Sequence, residues 1–462
     1  MRVSRHGPHT MAHDADSLRK ASLIRVLHAL AAGQVSSEAL TRAFLAAIER
    51  DRALNAWLHV DGEGALAAAR ASDARRASGA PLGRLDGVPL AIKDNIDVAG
   101  MPTTLGLPAG AEPPAARDAF IVARLRGAGA VLLGKTSLDE ATLGTVGRNA
   151  HFGDVANPQL PGRASGGSSA GSAVAVAAGH AVAALGSDTL GSIRIPAAFC
   201  GVVGLKPTHG ELSSGGLRPS LRRLDCPGVI ARSAEDIAPL LQVMCGHDPD
   251  DPRSRRRRVA LAAPDWNPST LRVGVLADAA SVGAAPAVIA AFDAALGRCA
   301  ELLGRVSVSP FQLAALDIAA TRRAALLMME AELLAAHGPL LEAASPPLSA
   351  MLDFARRKSA ADYARADLRL DAHVARVRRL FERFDALLLP VSPLPPPAVD
   401  APEPPNLADF TALASLAGCP ALALPLGDGI GLQLVGLPGS DLRLLELGAL
   451  VAAVVEAEAV PD

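Results

Sequence analysis

The sequence predicts one α/β domain in which a central mixed β-sheet is flanked on both faces by helices. Short apolar, strand-like runs alternate with helical patterns along most of the chain, as is typical of α/β folds. Half of the 462 residues are hydrophobic, which is enough for one continuous core at this length. The formal net charge is only −2, so no global field favours a nucleic-acid partner.

The N-terminal region is predicted to be a disordered tail over residues 1–16 followed by a helical arm over residues 17–78. The tail lacks the apolar segment of a secretory signal. In the arm, apolar residues recur at helical spacing, as at Leu23, Val26 and Leu30. No apolar run reaches the length of a membrane span.

The number and spacing of the cysteines indicate which cysteine-based sites and which cellular compartment to expect. The five cysteines show no C-x-x-C spacing, so the sequence indicates neither a zinc site nor a disulfide framework. This usage fits a reducing compartment, and we expect a cytoplasmic protein.

The predicted core, residues 80–250, begins with a strand-like run over residues 88–92 that ends at Lys93. A charged amine at this place would lose water, and desolvation lowers the pKa of a lysine. Lys93 is therefore a candidate general base. The alternative is a lysine that extends from the strand end into solvent.

The stretch over residues 162–210 has closely spaced glycines and serines. Glycines let a ligand approach the main chain closely, and the neighbouring hydroxyls would lie beside that ligand, which suggests a cradle for an anion or oxyanion. Ser168 precedes a helical run over residues 172–178, and Ser192 follows a predicted strand over residues 181–185. For either serine, helix capping or turn formation is the structural alternative.

A phosphate-loop pattern, G-x-x-x-x-G-K-T, is present over residues 129–136 and includes Lys135. Such a loop needs flexible residues between its glycines, whereas residues 130–133 resemble the strand itself. Nucleotide binding therefore remains a minor alternative.

A G-x-S-x-G nucleophile elbow is matched by residues 167–171, with Ser169 at the centre. That motif requires a later acidic residue and a histidine, and none of the later histidines lies in a motif that marks it. We expect Ser169 to cap the following helix instead.

Residues 260–462 are predicted to form a variable helical region followed by the last strands of the sheet. A helix capped by Ser233 precedes this region. The predicted elements are a strand over 270–278, a mainly helical region over 284–384, a buried strand over 384–389, a proline-rich loop over 390–405 that borders the site, helices over 409–416 and 441–456, and strands over 419–426 and 431–435 joined by a turn at 427–429.

These motifs resemble those of the amidase signature family. GGSSAGSA (166–173) is similar to that family's GGSSGGSA, and GSDTLGSIRIPAAFCGVVGLKPTHG (186–210) is similar to GSDTGGSIRxPAxxCGxxGLKPTxG. The separations between Lys93, Ser168 and Ser192 also match those in the family. With the flanking pieces GKTSLDEATLG, LDCPGVIARSAED, FDALLLPVSP and GLQLVGLP, the resemblance covers most of the chain.

The resemblance implies a catalytic role for each of these three residues. Ser192 would be the nucleophile, Ser168 the proton bridge and Lys93 the neutral base, which agrees with what the residues alone indicate. The family's cis peptide bond would fall between Gly167 and Ser168. Asp188 and Arg194 match positions that fix the turn before the nucleophile by charge-assisted hydrogen bonds.

The oxyanion hole implied by the resemblance consists of backbone N–H groups. They would belong to Thr189, Leu190, Gly191 and Ser192. Leu190 departs from the family, since many relatives have glycine there. A turn with positive φ would strain leucine; otherwise its N–H still donates and its side chain narrows the pocket, which is the outcome we expect.

The implied function is hydrolysis of a linear C–N amide bond of a small molecule through a serine acyl-enzyme, with release of a carboxylic acid and of ammonia or an amine. The resemblance implies no metal, no organic cofactor, and neither a nucleic-acid nor a membrane partner. In the family the helical arm sometimes lies in a dimer interface, so a homodimer stays open. The alternatives are a glutamyl-tRNA amidotransferase A-type subunit, which is a glutaminase dependent on other subunits, a nucleotide-binding protein, and a relative that Leu190 has made inactive.

Overall fold

The strands of the protein form one large sheet in a computed structural model, which describes residues 15–108, 113–256 and 270–457. In chain order the strands are β1 Trp57–Val60, β2 Pro89–Lys93, β3 Val131–Thr136, β4 Ala183–Asp188, β5 Val203–Lys206, β6 Cys226–Ala231, β7 Arg272–Leu276, β8 Ser307–Phe311, β9 Ala386–Pro390, β10 Ala421–Gly427 and β11 Ile430–Gly436. The 11-stranded sheet has the order β1-β3-β2-β4-β6-β5-β10-β11-β9-β7-β8.

The sheet is mixed, as predicted. Strands β3, β2 and β4 run parallel to one another at one end, and β9, β7 and β8 do so at the other. The pairs between them, from β4 to β9, are antiparallel. Since carboxyl ends of parallel strands meet at one edge, Lys93 at the end of β2 lies near the last residues of β4.

Helices cover both faces of this sheet. In chain order they are α1 Ala15–Leu18, α2 Leu23–Ala31, α3 Ser37–Arg50, α4 Gly62–Ala77, α5 Phe120–Gly127, α6 Ala170–Ala177, α7 Arg194–Phe199, α8 Ala234–Met244, α9 Pro286–Arg298, α10 Ala300–Leu303, α11 Ile318–His337, α12 Pro346–Arg356, α13 Ala360–Phe381, α14 Asp409–Leu416 and α15 Asp441–Ala457. No helix among the residues described is both long and apolar enough to cross a membrane.

Contacts at the middle of the sheet show the two covered faces. Gly204 of β5 pairs with Ala423 of β10, and a Cβ added at Gly204 would lie 2.7 Å from the Cβ of Ala197 in α7. The neighbouring residue of β10, Leu422, points to the opposite face. There a Cβ added at Gly448 of α15 would lie 2.1 Å from the Leu422 side chain. The predicted fold class, an α/β domain with helices on both faces, is confirmed.

The N-terminal arm is not wholly helical. Trp57–Val60 forms the edge strand β1, which pairs antiparallel with β3, because its pairing partner is supplied by a segment distant in sequence. Of the predicted tail, residues 1–14 lie outside the described part of the chain, and residues 15 and 16 belong to α1. There Asp16 accepts a hydrogen bond from Arg19 at 2.6 Å.

Other elements agree with the sequence patterns to within a few residues. The helix over 409–416 and the paired strands β10 and β11 are present, with Asp428 in the turn between them at φ +50°. Ser233 caps α8, as expected, by accepting a hydrogen bond from the Asp236 N–H. In the region predicted to be mainly helical, Ser307–Phe311 instead forms β8.

Candidate active site

The Lys93 amine lies inside the protein at the end of β2. Its side chain is fully buried because β3 and β4 flank the strand on both sides. Nζ lies 2.8 Å from Ser168 Oγ and 3.0 Å from Ser187 Oγ. Burial lowers the pKa of Lys93 to about 7, against the opposing effect of Asp139, Asp188 and Asp225. The amine therefore takes up and gives off a proton near neutral pH.

The segment that carries Ser168 is held close to a buried carboxylate. The peptide bond between Gly167 and Ser168 is cis. A Cβ added at Gly167 would lie only 2.0 Å from Asp139 Oδ1, so this position requires glycine. Asp139 in turn accepts hydrogen bonds from the N–H groups of Gly147, at 3.0 Å, and Arg148, at 3.2 Å. Asp139 thus fixes the wall against which the Ser168 segment packs.

The Asp139 carboxyl is electrostatically coupled to the lysine. Burial, together with the charge of Glu403, raises the pKa of Asp139 to about 7, while Lys93 acts in the opposite direction. From the sequence, residues 134–144 were only a flanking match to the family, and no role was predicted for Asp139. The sequence showed only that Asp139 lies in a motif that matches the family, and it did not indicate which residues the carboxylate would contact.

The turn from β4 to α7 is fixed by a buried ion pair. Arg194 donates to both carboxylate oxygens of Asp188, at 2.9 and 3.0 Å, and both side chains are fully buried. The guanidinium also donates to Thr411 O at 2.9 Å and to Ser415 Oγ at 2.6 Å. Burial alone would raise the pKa of Asp188, but the Arg194 charge and hydrogen bonds outweigh it and hold that pKa low. The pair joins the two ends of the turn.

The departure at Leu190 does not strain the backbone. Leu190 has no positive φ, and its carbonyl accepts a hydrogen bond from Thr411 Oγ1 at 2.7 Å. Its side chain lines a cavity. Gly191 has φ +147°, and a Cβ added there would lie 2.2 Å from Thr411 Oγ1. The obligatory glycine of this turn is therefore Gly191.

A second buried carboxylate supports the same turn. Thr189 Oγ1 donates to Asp225 Oδ1 at 2.7 Å. The other carboxylate oxygen of Asp225 accepts from the N–H groups of Ser220 and Leu221, at 2.8 and 3.0 Å. Burial nevertheless raises the pKa of Asp225. No role was predicted for this residue from the sequence.

Ser192 is partly exposed and opens onto a cavity of about 520 Å³. Its carbonyl accepts a hydrogen bond from the N–H of Ser169 at 3.1 Å, which ties the turn to the segment of Ser168. The cavity wall is mainly apolar, and its side chains include those of Leu143, Leu190, Leu326, Met329, Met351 and Leu407. The proline-rich loop borders the cavity, as predicted, through residues 403–405.

One ion pair and one hydrogen-bonded carboxylate belong to the lining of this cavity. Arg322 forms an ion pair with Asp409, so each neutralises the other. Glu403 accepts hydrogen bonds from both the N–H and the hydroxyl of Thr145. Among the described residues, no group of three or more His, Cys, Asp or Glu side chains is arranged to hold a metal ion.

The phosphate-loop pattern is part of a strand. Lys135 lies within β3, is fully buried, and forms an ion pair with Asp94 at 2.8 Å. Its Nζ also donates to Pro102 O at 2.8 Å. Of the residues 130–133 interpreted as strand, 131–133 belong to β3, and the Lys135 amine is already bound within the core.

The capping role expected of Ser169 is wrong. Ser169 occupies the N-cap position of α6, but its side chain makes no capping hydrogen bond. The hydroxyl is fully buried and donates to Ser187 O at 3.2 Å. Its oxygen accepts a hydrogen bond from the N–H of Ser187 at 3.4 Å, so a main-chain donor of β4 takes the place of the helix N–H groups.

Comparisons with known proteins agree with the motifs and with this geometry. The profile of the Amidase family matches residues 39–445. The chain is 37% identical to the A-type subunit of the glutamyl-tRNA(Gln) amidotransferase from Acidothermus cellulolyticus, over 95% of each chain. It is 35% identical to the AtzE subunit of 1-carboxybiuret hydrolase from a Pseudomonas species, over 93% of this chain and 97% of the relative.

Solved structures of related proteins share the fold. A structure described as a vestigial protein complex that bears on the origins of an s-triazine catabolic enzyme superposes with a TM-score of 0.85, at 33% identity, over 95% of this chain and 99% of the other. The native peptide amidase of Stenotrophomonas maltophilia superposes with a TM-score of 0.78, at 29% identity, over 96% of this chain and 98% of the other. The chain therefore belongs to the amidase signature family.

Proposed function

We propose that this protein is an amidohydrolase that cleaves a linear C–N amide bond of a small molecule through an acyl-enzyme on Ser192. The observation that carries the proposal is the fully buried Lys93 amine, 2.8 Å from Ser168 Oγ. No carboxylate among the described residues lies within ion-pair distance of this amine. An amine with a pKa near neutrality can act as a base, and Ser168 belongs to the segment that is hydrogen-bonded to Ser192.

In the first half of the reaction Ser192 Oγ attacks the amide carbonyl carbon. Its proton passes to Ser168 Oγ, while the Ser168 proton passes to neutral Lys93, which becomes an ammonium ion. The tetrahedral intermediate then collapses, and the C–N bond breaks. The proton held by Lys93 returns through Ser168 to the leaving nitrogen, so that ammonia or an amine departs and the acyl group stays on Ser192.

In the second half, water attacks the acyl-enzyme and the same relay takes its proton. Collapse then frees the carboxylic acid and restores the Ser192 hydroxyl. These steps require neither a metal nor an organic cofactor. The negative charge of both tetrahedral intermediates would be stabilised by N–H groups of the turn from Thr189 to Ser192, where loss of one donor typically costs about a hundredfold in rate.

The nucleophile is tested with a small fluorophosphonate, which needs no known substrate. We expect the probe to label the wild-type protein once, at Ser192, with peptide mapping to separate it from Ser168 and Ser169. Ser192→Ala should abolish the labelling. Ser172→Ala is a matched control, because Ser172 is buried in the same stretch and bonds to Leu185 O and Thr136 instead.

Two results would reject the assignment. One is undiminished labelling of Ser192→Ala, and the other is an undiminished burst of product when this variant is mixed with an amide that the wild type hydrolyses. A wild-type protein that resists the probe altogether would favour the inactive alternative. The acyl specificity is then found by measuring ammonia release from a panel of aliphatic, aromatic and ureido amides.

A second candidate function is that of a glutaminase subunit. It is supported by the similarity to proteins whose names identify them as subunits, over nearly their whole length. Glutamine hydrolysis that appears only when a co-purifying protein is present would favour this function. Turnover of simple amides by the isolated chain, without turnover of glutamine, would favour the first. Size-exclusion chromatography with light scattering shows in the same preparation whether the chain forms a homodimer.

A further inference from the structure

Within the described part of the chain, three oxygen atoms lie around the Lys93 amine, and two of them belong to one residue. Nζ lies 2.8 Å from Ser168 Oγ, 3.0 Å from Ser187 Oγ and 3.5 Å from Ser187 O. Ser187 is buried near the end of β4, where the parallel pairing with β2 brings it beside the lysine. In the sequence Ser187 is one residue of a matched motif, and no role was predicted for it.

The protonation state of the amine decides how these oxygens can be used. A neutral primary amine has two N–H donors and one lone pair, whereas the ammonium ion has three donors and no lone pair. To take a proton from Ser168, Lys93 must direct its lone pair at Ser168 Oγ. Its two N–H groups are then free to donate to Ser187 Oγ and Ser187 O. After the transfer, the third N–H donates back to Ser168 without any movement of the amine.

Asn95 controls which way the Ser187 hydroxyl points. Asn95 is buried, and its Nδ2 donates to Ser187 Oγ at 2.9 Å. A serine oxygen has two acceptor sites and one proton. When Asn95 and Lys93 fill both acceptor sites, the Ser187 proton points away from the amine. Without Asn95 the hydroxyl could rotate and donate to the lysine lone pair, in competition with Ser168.

We propose that Ser187 is a positioning residue which, held by Asn95, accepts the N–H groups of Lys93 and thereby directs the lone pair of the amine at Ser168. The inference rests on the proposed role of Lys93 as the base. The three proposed catalytic residues do not by themselves orient the lysine amine, and Ser187 and Asn95 would provide that orientation. Asp139, Asp188 and Asp225 are the charged groups that act on Lys93, and none of them provides this orientation.

The test measures the rate of Ser192 labelling by the fluorophosphonate from pH 5 to pH 9. In Ser187→Ala the ammonium form loses an acceptor, so the midpoint of the pH profile should move down by about one unit. The plateau rate should fall about tenfold, since the lone pair is no longer directed. Asn95→Ala should move both quantities in the same direction, and the double variant should be no slower than Ser187→Ala, because the two residues act in series.

The control is Ser172→Ala, which removes a buried hydroxyl of the same stretch that has no contact with Lys93. It should leave the midpoint in place. A wild-type midpoint and rate in Ser187→Ala would overturn the inference, as would multiplying effects of the two substitutions. If Ser187→Ala does not fold, the same comparison is made with Asn95→Ala, for which an unchanged midpoint is the refuting result. Failure of the wild type to react at all would instead refute the proposed function.

Discussion

Replacing Arg194 by methionine should destabilise the protein by leaving a carboxylate buried without its partner. In the native protein Asp188 and Arg194 are fully buried, and two hydrogen bonds of 2.9 and 3.0 Å join them. Breaking a buried pair by removing one partner typically costs about 3–5 kcal/mol. The lost hydrogen bonds to Thr411 O and Ser415 Oγ belong to the same network, so we expect a loss at the upper end of that range at pH 7.

The pH dependence of this loss has a definite sign. Arg194 holds the pKa of Asp188 below its ordinary value, so the pair stabilises the folded state above the unfolded-state pKa of about 4. That stabilisation is lost as pH falls through the lower folded-state pKa. In Arg194→Met the arginine no longer opposes the effect of burial, so the pKa of Asp188 should rise. As the pH falls and this carboxyl takes up a proton, the variant should gain stability relative to the wild type. The difference between the two proteins should therefore narrow from pH 7 towards pH 4.

Urea denaturation, followed by circular dichroism at pH 7, 5.5 and 4.5, measures both effects. The matched double variant Asp188→Asn, Arg194→Met removes the charge as well as its partner, and it should recover part of the stability at pH 7. Labelling of Ser192 by the fluorophosphonate should slow in both variants, because the pair anchors the turn that carries the serine. A loss below about 1 kcal/mol at pH 7, or one that does not shrink at pH 4.5, would show that this reasoning is wrong.

Three further predictions concern the site itself. The wild-type labelling rate should rise through a midpoint near pH 7 as Lys93 loses its proton, and Lys93→Met should remove that midpoint and slow labelling of Ser192 by about 10²–10⁴-fold. Gly167→Ala should slow labelling strongly and lower the melting temperature, because the added Cβ would lie 2.0 Å from Asp139 Oδ1. Adding Asp139→Ala should remove this clash and raise the melting temperature again. Leu190→Gly should keep the labelling rate within a few-fold of the wild type but should allow amides with bulkier acyl groups to be hydrolysed. Steady-state turnover of a series of amides with acyl groups of increasing size measures this. An unchanged acyl preference would mean that the Leu190 side chain does not limit the pocket.

Local sequence signals predicted the elements that depend on neighbours in the chain. The helix over 409–416 and the turn at 427–429 were predictable because apolar spacing and glycines act over a few residues. Strands β1 and β8 were not predicted, since each is short and partly exposed and is stabilised by a partner strand far away in the sequence. The family resemblance supplied the candidate triad, and the structure brings Lys93 and Ser168 into contact.

The polar support of the site could not be predicted in the same way. Ser187 and Asn95 meet because β2 and β4 are adjacent and parallel, a fact of sheet order that no local pattern encodes. Asp139 and Gly167 are likewise distant in sequence and are brought together only by the packing of the folded chain. The prediction for Ser169 was wrong because helix capping is a local preference, whereas its hydroxyl oxygen accepts from the N–H of Ser187 on β4 and its proton is donated to the carbonyl of the same residue.

The buried lysines show why composition alone could not identify the base. Lys93 and Lys135 end up fully buried in adjacent strands, and burial lowers the pKa of both. The amine of Lys135, however, is bound by the Asp94 carboxylate at 2.8 Å, by a main-chain carbonyl and by the Thr103 hydroxyl at 3.1 Å, so the carboxylate compensates its charge. Lys93 contacts two hydroxyl oxygens at 2.8 and 3.0 Å, and the nearby carboxylates act on it without an ion pair. In the proposed mechanism, what makes Lys93 rather than Lys135 usable as a base is therefore that no carboxylate of the described residues forms an ion pair with it and that Ser168 lies within hydrogen-bonding distance.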